Sequence, residues 1–140
     1  MKNYLVLITV LLLCSSQQCG TEDICINGNT GLTFVNASDK KLAFEIYWNY
    51  PDTIIGKYNP SGNDPILPNS SFTRGAGRKS CWEVVLEDNR KEWIYIFDYD
   101  TIMDLPWETV RETNRGLLER RLIDLEYLRN SDFRVVYPLQ

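Results

Sequence analysis

CWEVVLEDNRKEWIYIFD, residues Cys81 to Asp98, is the stretch whose reading decides the fold. Two apolar runs flank the charged tetrad Asp88, Asn89, Arg90 and Lys91, and the whole reads as a β-hairpin with a tight polar connection. In the second run Trp93, Tyr95 and Phe97 alternate with Ile94 and Ile96, so both faces are apolar. A strand of that kind belongs inside a sheet that is covered on both sides. The first run repeats the pattern, with Trp82, Val84 and Leu86 opposite Cys81 and Val85.

Upstream, Leu32 to Asn36 reads as a short strand, Ala37 to Lys40 as a turn, and Leu42 to Trp48 as a strand. Leu42, Phe44, Ile46 and Trp48 share one face of that strand, which places Trp48 in the core. Ala43, Glu45 and Tyr47 share the other, which is expected to be partly solvated. Between Tyr50 and Ser71 stand Pro51, Pro60, Pro65 and Pro68, so this segment is a long crossing between sheets and not a helix or central strand. Ser71 to Ser80 is a strand end running into the glycine-bearing turn that opens the hairpin.

Downstream, Pro106 opens a helix of about two turns that stops at Asn114 and Gly116. Leu117 to Ile123 has the length of a strand. Asp124 caps a brief helix that buries Leu125 and Leu128, and Phe133, Val135 and Tyr137 alternate as a last strand. The fold class is therefore all-β: a small β-sandwich of about seven short strands with two short helices near the C-terminus.

The composition, 44% hydrophobic, 12% aromatic and 24% charged, is that of one globular domain. Residues 1–19 stand apart from it as a signal peptide or lipoprotein leader, leaving 20–140 as a single β-rich domain. Lys2 supplies the positive start and Tyr4 to Leu13 the apolar run. At ~1.5 Å per residue that run spans roughly 15 Å, half of a ~30 Å hydrocarbon core, too short for a permanent span. Cleavage near Ser16 would release a soluble chain. Lipidation of Cys14 or Cys19 would anchor it, and such an anchor is the only membrane attachment expected.

Export admits disulfides, and four cysteines are present. Cys19 to Cys25 and Cys25 to Cys81 are the pairings weighed; the second is favoured, because its long loop is worth roughly 4 kcal/mol in the chain-entropy view against roughly 2.4 for the short one, and it pins the N-terminal arm to the central strand. Lipidation at Cys19 would leave those two as an even pair. No CxxC occurs, so neither a redox site nor a zinc ribbon is supported.

The net charge of −4 argues against nucleic acid as a ligand. The chain has no histidine, which removes the commonest general base and zinc ligand together. Asp98, Asp100 and Asp104 suggest calcium, but Ile102 and Met103 stand where an EF-hand needs a ligand and a glycine, so caps and turns are the expected role. No metal or cofactor is expected. Gly75, Gly77, Arg78 and Lys79 form a glycine-rich cationic turn without the spacing of a phosphate-binding loop. A hydrolytic carboxylate pair would have to come from Glu45, Glu83, Asp98 or Asp100.

PWETVRETN (Pro106 to Asn114), LIDLEYLRNSD (Leu122 to Asp132), FRVVYP (Phe133 to Pro138), Trp93 to Asp98 and NYPDT (Asn49 to Thr53) together cover most of the mature chain. This pattern resembles a family of small exported envelope proteins and lipoproteins of Bacteroidetes. The resemblance implies an exported, periplasmic or outer-membrane-associated β-rich domain, and implies no activity. In that setting Thr53 (in Asp52, Thr53, Ile54) and Thr101 (in Asp100, Thr101, Ile102) resemble short O-glycosylation signals. The expected function is non-enzymatic binding of an envelope protein or glycan, with Tyr47, Tyr50, Arg74, Arg78 and Lys79 on the contact surface. A small carboxylate-based glycan hydrolase and a structural envelope component are the alternatives.

Overall fold

The computed structural model describes residue 25, residues 28–77 and residues 81–138. The leader with Cys14 and Cys19, and the pair Arg78 and Lys79, lie outside the described residues. The described chain forms two three-stranded sheets that share a core, with a few short helices. The first sheet has the order β3–β1–β6, from β1 (Gly31–Asn36), β3 (Ser70–Gly75) and β6 (Arg134–Tyr137). In it β1 runs antiparallel to β3 and parallel to β6. The second, β2–β4–β5, is antiparallel throughout and is built from β2 (Leu42–Tyr47), β4 (Glu92–Asp98) and β5 (Leu117–Ile123).

As its two apolar faces require, β4 is central and buried on both sides. Ile94 and Ile96 join Leu42, Ile46 and Ile123 against Leu32, Phe34 and Val135 of the first sheet. Tyr95 and Phe97, with Ala43 and Tyr47, face Ile55, Ile102 and Val110. The last two come from the short helices α2 (Tyr99–Met103) and α3 (Trp107–Thr113). The Ala43–Tyr47 face of β2 is therefore covered and not partly solvated: Glu45 is 6% exposed. The long crossing from Tyr50 onward lays Ile55 on that face, and Arg74 reaches the Glu45 carboxylate.

The hairpin expectation fails in its first half. Trp82–Val85 is a single helical turn, α1, entered from Cys81 in extended conformation. Trp82, Val85 and Leu86 are the residues that reach the core. Their spacing of three and one is helical, and it competes with the alternation of Trp82, Val84 and Leu86. Two tertiary ties decide the outcome: Trp82 N–H donates to the Asn29 carbonyl, and the Glu83 carboxylate accepts Asn29 N–H. The Asp88–Asn89 turn is present, with both residues at positive φ, but it joins α1 to β4. Six strands result among the described residues, not seven. The helical turns are also more than two, since α1 and α2 precede α3 and α4 (Leu125–Asn130).

Cys25 and Cys81 form the expected disulfide, Cα atoms 5.8 Å apart. It ties the arm to the start of α1 and not to a strand. A Cβ at Gly28 would lie 2.8 Å from the Cys81 Sγ, so the arm passes the bond only with glycine there. Asn36, fully buried, binds two loop segments, the turn that follows β1 and the end of the long crossing. Its Nδ2 donates to the carbonyls of Lys40, Ile66 and Leu67, and its Oδ1 accepts from Ser38.

Candidate functional site

The two sheets meet along two seams. Where β5 lies beside β6, Arg121 is 7% exposed and donates to the Tyr127 hydroxyl and the Val136 carbonyl while pairing with Glu119. That seam is shut. Where β2 lies beside β3, Phe44 and Phe72 approach at 5.7 Å and Arg74 reaches Glu45 at 2.8 Å, but the strands do not pair. The result is a cleft of about 790 Å³.

Strand alternation makes this cleft polar as well as aromatic. Leu42 exchanges both backbone hydrogen bonds with Ile66, so the peptide groups of Phe44 and Ile46 point the same way, into the cleft. Glu45 Oε1 accepts both Ile46 N–H and Arg74, which caps one of those donors. Asn63 and Asp64 of the Pro60–Gly62 turn region stand on the far wall.

Trp48 is the hinge between this cleft and a second one of about 830 Å³, beside the 87–91 turn. The expectation that Trp48 completes the buried face of β2 is corrected. It is 53% exposed, because Trp82 of α1 already fills the core position, and its ring stacks on Trp82 at 6.3 Å. Tyr58 (55%) and Phe72 (49%) are exposed in the first cleft, and Tyr50 (47%) in the second.

Of the expected contact residues, Arg74 lines the first cleft and Tyr50 the second. Tyr47 also lines the first cleft but is only 8% exposed: its hydroxyl donates to the Tyr58 carbonyl, and burial pushes that hydroxyl well above its ordinary pKa. Thr53 is exposed, on a turn closed by Asp52 accepting Ile54 N–H. Thr101 is half-buried in α2 against the position of Gly116.

The four carboxylates considered for hydrolysis are each engaged elsewhere. Glu45 holds Arg74, Glu83 holds Asn29, and Asp100 pairs with Lys41. Asp98 caps α2 through Thr101 N–H and pairs with Lys40 at 2.6 Å; against the upward pull of burial, these partners hold its carboxyl below the usual range. Among the described residues no three of His, Cys, Asp or Glu are placed to hold a metal ion, and no helix is long and apolar enough to cross a membrane.

Three site residues escaped the sequence reading. Phe72 carried a signal, as a lone aromatic among Ser71, Thr73 and Arg74. So did Glu92, which alternates with Ile94 and Ile96 and therefore points inward. Tyr58, inside an irregular crossing, carried none. The fold and the clefts define a small two-sheet domain with an aromatic-walled open seam. No protein-family model, curated protein or solved structure matches the chain.

Proposed function

We propose that the chain is an exported, envelope-associated binding domain without catalytic activity, and that it holds a glycan along the two clefts that meet at Trp48. The observation that carries this reading is the set of aromatic rings, Trp48, Tyr58 and Phe72, each left about half exposed in a concave surface beside amide and carboxylate groups. Rings of that size normally bury. Left exposed beside polar groups, they offer the apolar C–H face of a sugar a place to stack while the polar groups meet its hydroxyls. The apolar leader and the Cys25–Cys81 bond support export to an oxidising compartment. The prior engagement of Glu45, Glu83, Asp98 and Asp100 supports binding over hydrolysis.

Retention of the purified chain on immobilised bacterial envelope polysaccharides tests the reading. Retention should fall by about tenfold or more in a Trp48→Ala, Tyr58→Ala, Phe72→Ala variant, with little change in melting temperature. No retention of the parent chain, or retention indifferent to the three substitutions, would sink it.

A second reading has its own support. The outward peptide groups of Phe44 and Ile46 on β2, and of Ser71 and Thr73 on β3, are the equipment for adding an extended protein segment as a further strand. A partner bound that way would slow hydrogen exchange at the Phe44 amide, whereas a stacked glycan would leave it fast.

A further inference from the structure

We propose that the second cleft is a subsite for a neutral saccharide, in which the Glu92 carboxyl meets ring hydroxyls while Trp48 and Tyr50 take the apolar face of the sugar; this deepens, and rests on, the glycan reading above. Glu92 opens β4 in register with Ile94 and Ile96, so the pleat turns it toward the space between the sheets at the point where the second cleft begins. It is 5% exposed, its Oε2 is fully buried, and among the described residues neither carboxyl oxygen meets a hydrogen-bond donor or a cation. A buried carboxyl without a partner is costly in either protonation state. Burial pushes it toward the neutral form, with Arg90 opposing. The hydroxyls of a sugar can give the Glu92 oxygens the donors that the protein does not.

The rest of the cleft agrees on the class of ligand. Glu87 and Asp88 are balanced at the rim by Arg90 and Lys91. Two carboxylates against two cations leave the rim itself without a net charge to select a phosphate or an ammonium group. Trp48 is backed by Trp82, and Tyr50 lies 6.4 Å from Trp93, so both rings are braced as flat walls. The volume of about 830 Å³ falls in the range of small-ligand clefts.

The test is a nuclear magnetic resonance titration of the full chain with glucose, galactose, N-acetylglucosamine and their disaccharides. Inorganic phosphate and tetramethylammonium serve as charged comparisons. The signals followed are the Trp48 indole N–H and the Glu92 carboxyl carbon for the second cleft, and the Tyr58 and Phe72 ring signals for the first. Saturable shifts at Trp48 and Glu92 with at least one neutral sugar are expected. Trp48→Ala and Glu92→Ala should weaken binding by about tenfold, and Glu92→Gln, which keeps an acceptor oxygen for the sugar hydroxyls, by less than about threefold. Trp48→Ala removes an exposed ring, so it reports even if Glu92→Ala folds poorly. Sugar-induced shifts confined to Tyr58 and Phe72 would overturn this subsite while leaving the glycan reading standing. Shifts at Trp48 and Glu92 caused by phosphate or tetramethylammonium but by no sugar would overturn it too. No response to any sugar at either cleft would overturn both.

Discussion

Arg121 and Arg74 occupy matching places in the two seams of the sandwich, one between β5 and β6, the other between β3 and β2. Arg121 is sunk in its seam and spends its donors on a carboxylate, a hydroxyl and a backbone carbonyl of the opposite strand. Arg74 keeps its side chain 37% exposed and reaches a single carboxylate. The difference lies in the neighbours. Tyr127 of α4 leans over the first seam, whereas the second is flanked by the irregular crossing, which pairs with β2 only at Leu42. A seam that is filled serves stability; one that is left open presents aromatic rings and strand edges to whatever can enter.

The largest effect expected is at the one residue that limits how far the open seam runs. Asn36 holds the carbonyls of Ile66 and Leu67, and so fixes the segment that covers the first residue of β2. Asn36→Leu removes the five hydrogen bonds of a fully buried amide and should cost about 3–4 kcal/mol in chemical denaturation. If it costs under about 1 kcal/mol, the segment is held by packing alone. Next, Arg121→Met should cost about 3 kcal/mol, since it leaves Glu119 and the Val136 carbonyl without their donor. Arg74→Met should cost only about 1–2 kcal/mol, because water reaches its seam. Equal losses at the two arginines would break the contrast between a shut and an open seam.

Exchange rates sharpen the same contrast without a substitution. The Phe44 amide, facing the cleft, should exchange faster than the Ile94 and Ile96 amides at the sheet centre, with Ile46 between them because Glu45 caps it. Glu45→Gln should then speed exchange at Ile46 more than at Phe44. Equal protection of Phe44 and Ile94 would mean that the β2 edge is not open.

The smallest effect, on the order of 1 kcal/mol, comes from Glu92→Gln and is a gain. Glu92 is shifted up by burial, so the stability it carries is full below the unfolded carboxyl range and is lost as pH rises through its folded value. The amide escapes that loss, and its advantage should appear near neutral pH and vanish toward pH ~4. Asp98, shifted down, works with the opposite sign: its contribution is present above the unfolded range and is lost on acidification. A melting-temperature series from pH 4 to 8 reads both. An advantage that grows on acidification would overturn the assignment.

How much of this could be read from the residues depended on whether local pattern and tertiary contact agreed. At β4 they agree: alternation over Trp93 to Phe97 matches two cores, and the strand was legible in full. At Pro106 to Gly116 a helix start and a left-handed stop stand in the sequence, with Asn114 and Gly116 at positive φ as that stop requires. At Trp82 to Leu86 two periods fit the same five residues, and the choice fell to Asn29, more than fifty positions away. The clefts were legible only in part. Arg74 and Tyr50 stood out by type, but a seam is a relation between strands that no single stretch encodes, and Trp48 could be placed outside the core only once α1 was known to fill it.

The parallel pairing of β1 with β6 joins Thr33 to Arg134, so nearly the whole described chain has to be in hand before the first sheet can close. Contacts of such long reach make for slow folding, because most of the loop-closure entropy is lost before the contacts form. The Cys25–Cys81 link needs only the earlier part of the chain and can tie the arm to α1 while β6 is still absent. Until that last strand docks, β1 presents a second unpaired edge. A folding chain therefore passes through an interval in which it exposes, besides the cleft that persists in the finished fold, the slot that β6 will fill.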